Sequence, residues 1–140
     1  MKMTLPRSIR LGEMPNVLRP ILAEDCAKLE EIQYTGELAA PFEEQLQINC
    51  SGLHAFGAPR EAEFMFNDGP LGHVWILVQE EELMELRRSL EKFFGPVVYE
   101  TEAYAVFASG NMALRQTPPE ILVATPTMIA EITGFAPDTH

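Results

Sequence analysis

The chain has 140 residues, 46% of them hydrophobic and 22% charged, and a formal charge of −11, a composition that fits a packed domain and excludes a disordered or low-complexity segment. No apolar run is long: that at residues 74–78 is about a quarter of what a membrane-spanning helix needs. No apolar run follows the basic N-terminus as a signal peptide requires, so the expectation is one cytoplasmic domain over residues 1–140.

Residues 1–20 carry Lys2, Arg7, Arg10 and Arg19 against Glu13 alone, which leaves 21–140 with six basic and twenty acidic residues, a net −14. Such a body repels phosphate backbones, so direct nucleic-acid binding is not expected. A basic protein surface is the better partner, because complementary charge speeds and orients association. Residues 1–14 read as a basic arm or edge strand, and in a homodimer the basic residues 1–20 of one chain would lie against the acidic body of the second copy. Cys26 and Cys50 have no CxxC spacing and no ligand companions, and are expected as buried free thiols.

In chain order, Leu18, Leu22, Cys26 and Leu29, flanked by Ile21 and Ile32, recur at helical spacing within residues 15–34. Pro20 is tolerated in a first turn, so the helix is expected to begin near Arg19 or Pro20 and to stop at Gly36. Residues 45–50 alternate polar and apolar side chains as a one-sided strand does, with Ser51-Gly52 as its end. A loop holding His54, Gly57 and Pro59 leads to a second strand on Ala62, Phe64 and Phe66. Asn67-Asp68-Gly69 predicts a hairpin turn, and the unbroken apolar arm at 73–78 a strand covered on both faces.

Leu83, Leu86, Leu90 and Phe93 or Phe94 stripe a helix over 80–94, with Glu80, Glu81 and Glu82 at its positive end and Gly95-Pro96 ending it. Residues 97–99 and 104–108 read as β-structure, one bent strand or two; Ser109-Gly110-Asn111 turns into 112–115, and 121–124 is a further short strand. Thr125 caps, and Pro126 opens, a last helix over 126–133 that Gly134 terminates; 135–140 are expected to fray. The sum is an α+β fold, a mostly antiparallel sheet of five to six strands with two or three helices mainly on one face.

His73, where a polar turn enters the most apolar strand, is a candidate acid–base group. Glu100 and Glu102, two apart on a strand, could share a face and raise one another's pKa. Arg115, Arg60 and His54 are candidate ligand-binding residues, the arginines as isolated cations able to fork onto an anion. His54 and His73 with Glu63 or Asp68 match no metal-ligand spacing, and no cofactor is expected. Two functions follow: an acidic binding or regulatory protein engaging a basic site on another macromolecule, or a small cofactor-independent lyase or isomerase acting on an anionic molecule.

Overall fold

Residues 28–35 are a strand and not the second half of a helix. In the computed structural model, which describes residues 3–136, α1 (Pro15–Asp25) opens on Pro15 and stops at Cys26, whose backbone is extended. β1 (Lys28–Thr35) follows and pairs along all eight residues with β2 (Glu44–Ala55). The Leu29–Ile32 spacing suits a helix, but Ile32, Tyr34 and Thr35 favour a pleated strand, and the ladder to β2 satisfies their backbone groups. Pro20 therefore sits inside α1 and not in a first turn.

The fold is α+β, and the described residues form three α-helices and eight antiparallel strands, where five or six strands were expected. Its contacts divide it into two units, between Val74 and Trp75. In the first unit β1, β2 and β3 (Ala58–Asn67) form an antiparallel meander. Ser51-Gly52, expected to end a strand, is a bulge: Gly52 takes φ +79°, and the register shifts between Cys50 and Leu53 before pairing resumes. An extra residue absorbed at a left-handed glycine lets the strand continue. The loop expected around His54 is thus strand, and only Phe56 and Gly57 turn, both at positive φ as a tight two-residue hairpin requires.

The predicted turn after β3 is present, with Asp68 and Gly69 at positive φ and Asn67 N–H donating to Pro70 O at 3.0 Å. β4 (Leu71–Leu77) leaves it and crosses the division between the units; His73, Val74 and Ile76 are buried, while Leu77 is exposed.

Cys26 and Cys50, expected as free thiols, form a disulfide that ties the end of α1 to the middle of β2, with Cα atoms 5.5 Å apart. Spacing in the sequence cannot show this pairing, because it depends on α1 turning back over β2. Residues 3–14 are neither an edge strand nor a loose arm, and residues 1 and 2 of the expected arm lie outside the described residues. Arg7 forks onto Asp25 and reaches Glu24, Gly12 N–H donates to Leu71 O, and Leu71 N–H donates to Glu13 O. Met3 and Ser8 are buried.

In the second unit a 3-10 turn at Glu80–Glu82 leads into α2 (Leu83–Phe94), with Gln79 and Glu82 satisfying each other's backbone N–H groups as a capping box. Leu86 and Leu90 are its buried stripe. β5 (Val97–Glu100), β6 (Tyr104–Phe107), β7 (Met112–Arg115) and β8 (Glu120–Ala124) form a second antiparallel meander. α3 (Pro126–Thr133) has the predicted Thr125 cap, whose hydroxyl accepts from Met128 N–H, and the predicted Gly134 stop. Phe135 does not fray: it is buried and packs on Tyr99, ring centroids 5.5 Å apart. The rest of the expected tail, 137–140, lies outside the described residues. Tyr99 and Glu100 point to opposite faces of β5; Phe135 meets the first and α2, through Arg87, the second.

Candidate functional site

Directly paired residues of an antiparallel sheet share a face, and neighbours along a strand alternate. The register of β1, β2 and β3 therefore sorts every side chain. One face holds Leu29, Cys50 and Ala62, then Glu31, Ile48 and Phe64, then Gln33, Leu46 and Phe66. α1 lies on it: the disulfide joins Cys50 to α1's C-cap, and Arg19 forks onto Glu31 with both bonds at 2.9 Å. Cys50, Ile48, Phe64 and Phe66 are buried there, as are Leu18 and Leu22 of α1.

The opposite face is polar. Its rows are Lys28 and Ser51; Glu30, Asn49 and Glu63; Ile32, Gln47 and Met65; Tyr34, Gln45 and Asn67. Glu61 joins it, accepting from Ser51 Oγ at 2.9 Å. Most amides on this face are locked by one another. Tyr34 donates to Gln47 Oε1 at 3.2 Å and Gln47 Nε2 to Asn49 Oδ1 at 2.8 Å, while Gln45 Nε2 donates to Asn67 Oδ1 at 2.9 Å. Glu30 and Glu61 are exposed, and Glu63, Asn49, Gln47, Gln45 and Tyr34 are half-buried.

The result is an ordered amide ladder with three carboxylates at one end. Glu30 and Glu63 flank Asn49 in a single row, and neither makes an ion pair among the described residues. Arginines neutralise acids elsewhere: Arg7 takes Glu24 and Asp25, Arg19 takes Glu31, Arg87 takes Glu91 and Glu100, and Arg115 lies near Glu120. Side chains held in fixed rotamers lose little entropy on meeting a partner. A partner that lays cations along this row meets uncompensated charge on a prearranged surface.

The candidates read from sequence do not form a catalytic set. His73 is buried, its Nδ1 is 3.1 Å from Asn67 Nδ2, and burial pushes its pKa down to about 4. It is neutral where a general acid–base histidine should titrate. Glu100 and Glu102 do not act as a pair: Glu102 lies exposed in the turn after β5, and Arg87 grips Glu100 with two bonds of 2.7 Å. Those hydrogen bonds hold the Glu100 carboxyl below its ordinary range, opposite to the rise that paired carboxylates produce.

Arg60 is no anion anchor, because it is buried with Nε on Ala55 O and a terminal nitrogen on Phe56 O, both at 3.0 Å. It clamps the left-handed Phe56 turn. Arg115 is not isolated either: its guanidinium lies 5.4 Å from the Trp75 ring, 6.0 Å from that of Tyr104 and 3.8 Å from Glu120. His54 is exposed on β2 and borders a cavity of about 390 Å³ with Arg7, Glu24 and Asp25, whose charges are spent on each other. Among the described residues no three His, Cys, Asp or Glu side chains come together as metal ligands, and no helix is long and apolar enough to cross a membrane.

Glu30, Glu61 and the amide ladder are not singled out by the sequence, and Glu63 is considered there only as a companion of His54 and His73 for a metal. The alternation Gln45, Gln47, Asn49 was the available signal: a solvent face built of amides, not of Lys and Glu. Its meaning depended on β1, which the helical reading concealed. No family model, curated protein or solved structure matches the chain.

Proposed function

We propose that the chain is an acidic binding or regulatory protein, an accessory factor, inhibitor or immunity-type partner, that engages a basic site on another protein through the polar face of β1, β2 and β3. The observation that carries this is the row Glu30, Asn49, Glu63, whose carboxylates lack cations while arginines compensate acids on other surfaces. Uncompensated charge of one sign steers a partner of the other and rejects phosphate backbones. The alternative, acid–base catalysis on a small anion, draws no support from His73, Glu100, Glu102 or Arg115, each engaged or placed as described above.

The disulfide also bears on where such a partner is met. A buried Cys26–Cys50 bond persists most readily in an oxidising compartment, and we place the protein there in preference to the cytoplasm. Thiol alkylation in denaturant of the protein as isolated from its source, before and after reduction, checks this: label only after reduction supports it, and full label beforehand refutes it.

Capture from a lysate of the source at low and high salt tests the function. Basic proteins retained by the wild type at low salt, released at high salt and lost when Glu30 and Glu63 are both changed to Gln support it. A captured set that the double variant leaves unchanged removes it.

A further inference from the structure

β1 differs from an ordinary sheet edge in length and in charge placement. It pairs with β2 alone, no strand lies beyond it among the described residues, and the backbone of Lys28–Thr35 has no backbone partner other than β2. Along these eight residues every second one turns its N–H and C=O away from β2, and that outward row is a ready template for another strand. β5, which pairs with β6, offers only four residues and an irregular register.

The two carboxylates in the middle of β1 are not equivalent. Glu31, on the α1 face, is neutralised by Arg19. Glu30, on the polar face, is exposed and continuous with Asn49 and Glu63 in its row. An added strand therefore meets unpaired negative charge on one face only, opposite Glu30, with Ile32 and Tyr34 as the next side chains along that face. Lys28, at the far end of the same face, sets a limit on how far basic residues can continue.

We infer that β1 is a docking edge, on which an extended segment of a partner protein adds as a strand with a Lys or Arg opposite Glu30 and apolar or aromatic side chains opposite Ile32 and Tyr34. This rests on the proposal above that the partner is basic, and adds how it binds. Main-chain hydrogen bonds supply the affinity and the Glu30 row the choice of sequence. The half-buried Ile32 and Tyr34 give the incoming side chains apolar surface to cover.

The test uses the full chain and synthetic ten-residue peptides that place Lys and Val or Tyr on one alternate set of positions and Thr on the other. Two further peptides of identical sequence carry N-methyl groups on one or the other alternate set of backbone nitrogens, which removes the donors of one strand edge and leaves the charge intact. The expected result is that the parent binds and slows hydrogen exchange at β1 amides. One methylated set should lose binding and the other retain it, since only one peptide edge faces β1, and Glu30→Gln should weaken the parent about two- to fivefold. If both methylated peptides bind as the parent does, strand addition is wrong and the basic-partner proposal survives. If no peptide binds while lysate capture still depends on Glu30 and Glu63, the docking edge is likewise wrong; if that capture fails as well, the proposal beneath it falls too.

Discussion

Asn67 donates from Nδ2 to Nδ1 of His73 across 3.1 Å. The direction is fixed by Gln45, whose Nε2 donates to Asn67 Oδ1 at 2.9 Å, so the amide has its NH2 turned toward the ring. Nδ1 must then offer a lone pair, and the imidazole is neutral with its proton on Nε2. A polar group on the sheet thus specifies the tautomer of a buried histidine.

This arrangement sets a pH dependence. An unfolded imidazole titrates near 6.5 and the folded one near 4, so between these values the unfolded chain binds more protons. The stability owed to a neutral His73 is fully present above pH 6.5, falls as the pH drops toward 4, and amounts to about 3 kcal/mol. Below that, Asp25, Glu31 and Glu100 extend the loss, since hydrogen bonds from Arg7, Arg19 and Arg87 hold their carboxyls below the ordinary range. Denaturant unfolding across the window should show the slope in the wild type and a shallower one in His73→Gln; equal slopes would count against the assignment.

Gly72 is required by the same network. A Cβ there would fall on the Asn67 side-chain amide, so Gly72→Ala must push Asn67 away from His73. We expect a loss of about 2 kcal/mol that shrinks in an Asn67→Ala background. A double-mutant cycle with no coupling would show that Gly72 serves some other contact.

The disulfide closes a loop with its cysteines 24 positions apart, for which chain entropy gives about 3.5 kcal/mol. Replacing both cysteines by Ala should lower stability by about that much and loosen α1 first, because α1 has no side-chain cap at its start and Pro20 interrupts its hydrogen bonds. Hydrogen exchange in residues 15–25 no faster than in the rest of the variant would contradict this.

Arg60 holds two carbonyls of the Phe56 turn with one planar group. Arg60→Lys keeps the charge, but an ammonium cannot reproduce the fork, and leaving a buried carbonyl unpaired costs about 1 to 3 kcal/mol. We expect a loss in that range by thermal unfolding. Stability equal to wild type would mean that Lys reaches both oxygens.

The second half of the fold was more legible than the first. Thr125, Pro126 and Gly134 bound α3 by local chemistry that no tertiary contact overrides, and Gly95 and the Ser109-Gly110 turn work similarly. Residues 28–35 read as helix because Leu29 and Ile32 stand three apart, a helical spacing that falls on opposite faces of a strand, and only the pairing with β2 shows the strand. Gly52 looked like a stop, since a bulge glycine and a terminating glycine are alike until the strand beyond is seen. The site suffered most: His73, Arg60 and Arg115 drew notice as rare chemical types, yet each is held within the protein. The polar face depends on residues common in any sequence, and its meaning comes from register alone.

The central claim is that the polar face of β1, β2 and β3 recognises a basic protein, and net charge must be separated from position to test it. Two variants with the same charge change do so: Glu30, Glu61 and Glu63 all changed to Gln, and the exposed Glu80, Glu81 and Glu85 of the second unit all changed to Gln. Quantitative capture from the same lysate should show basic partners retained by the wild type and by the second variant and lost from the first. Equal losses in both variants would contradict the account, because binding would then follow overall charge and not this face.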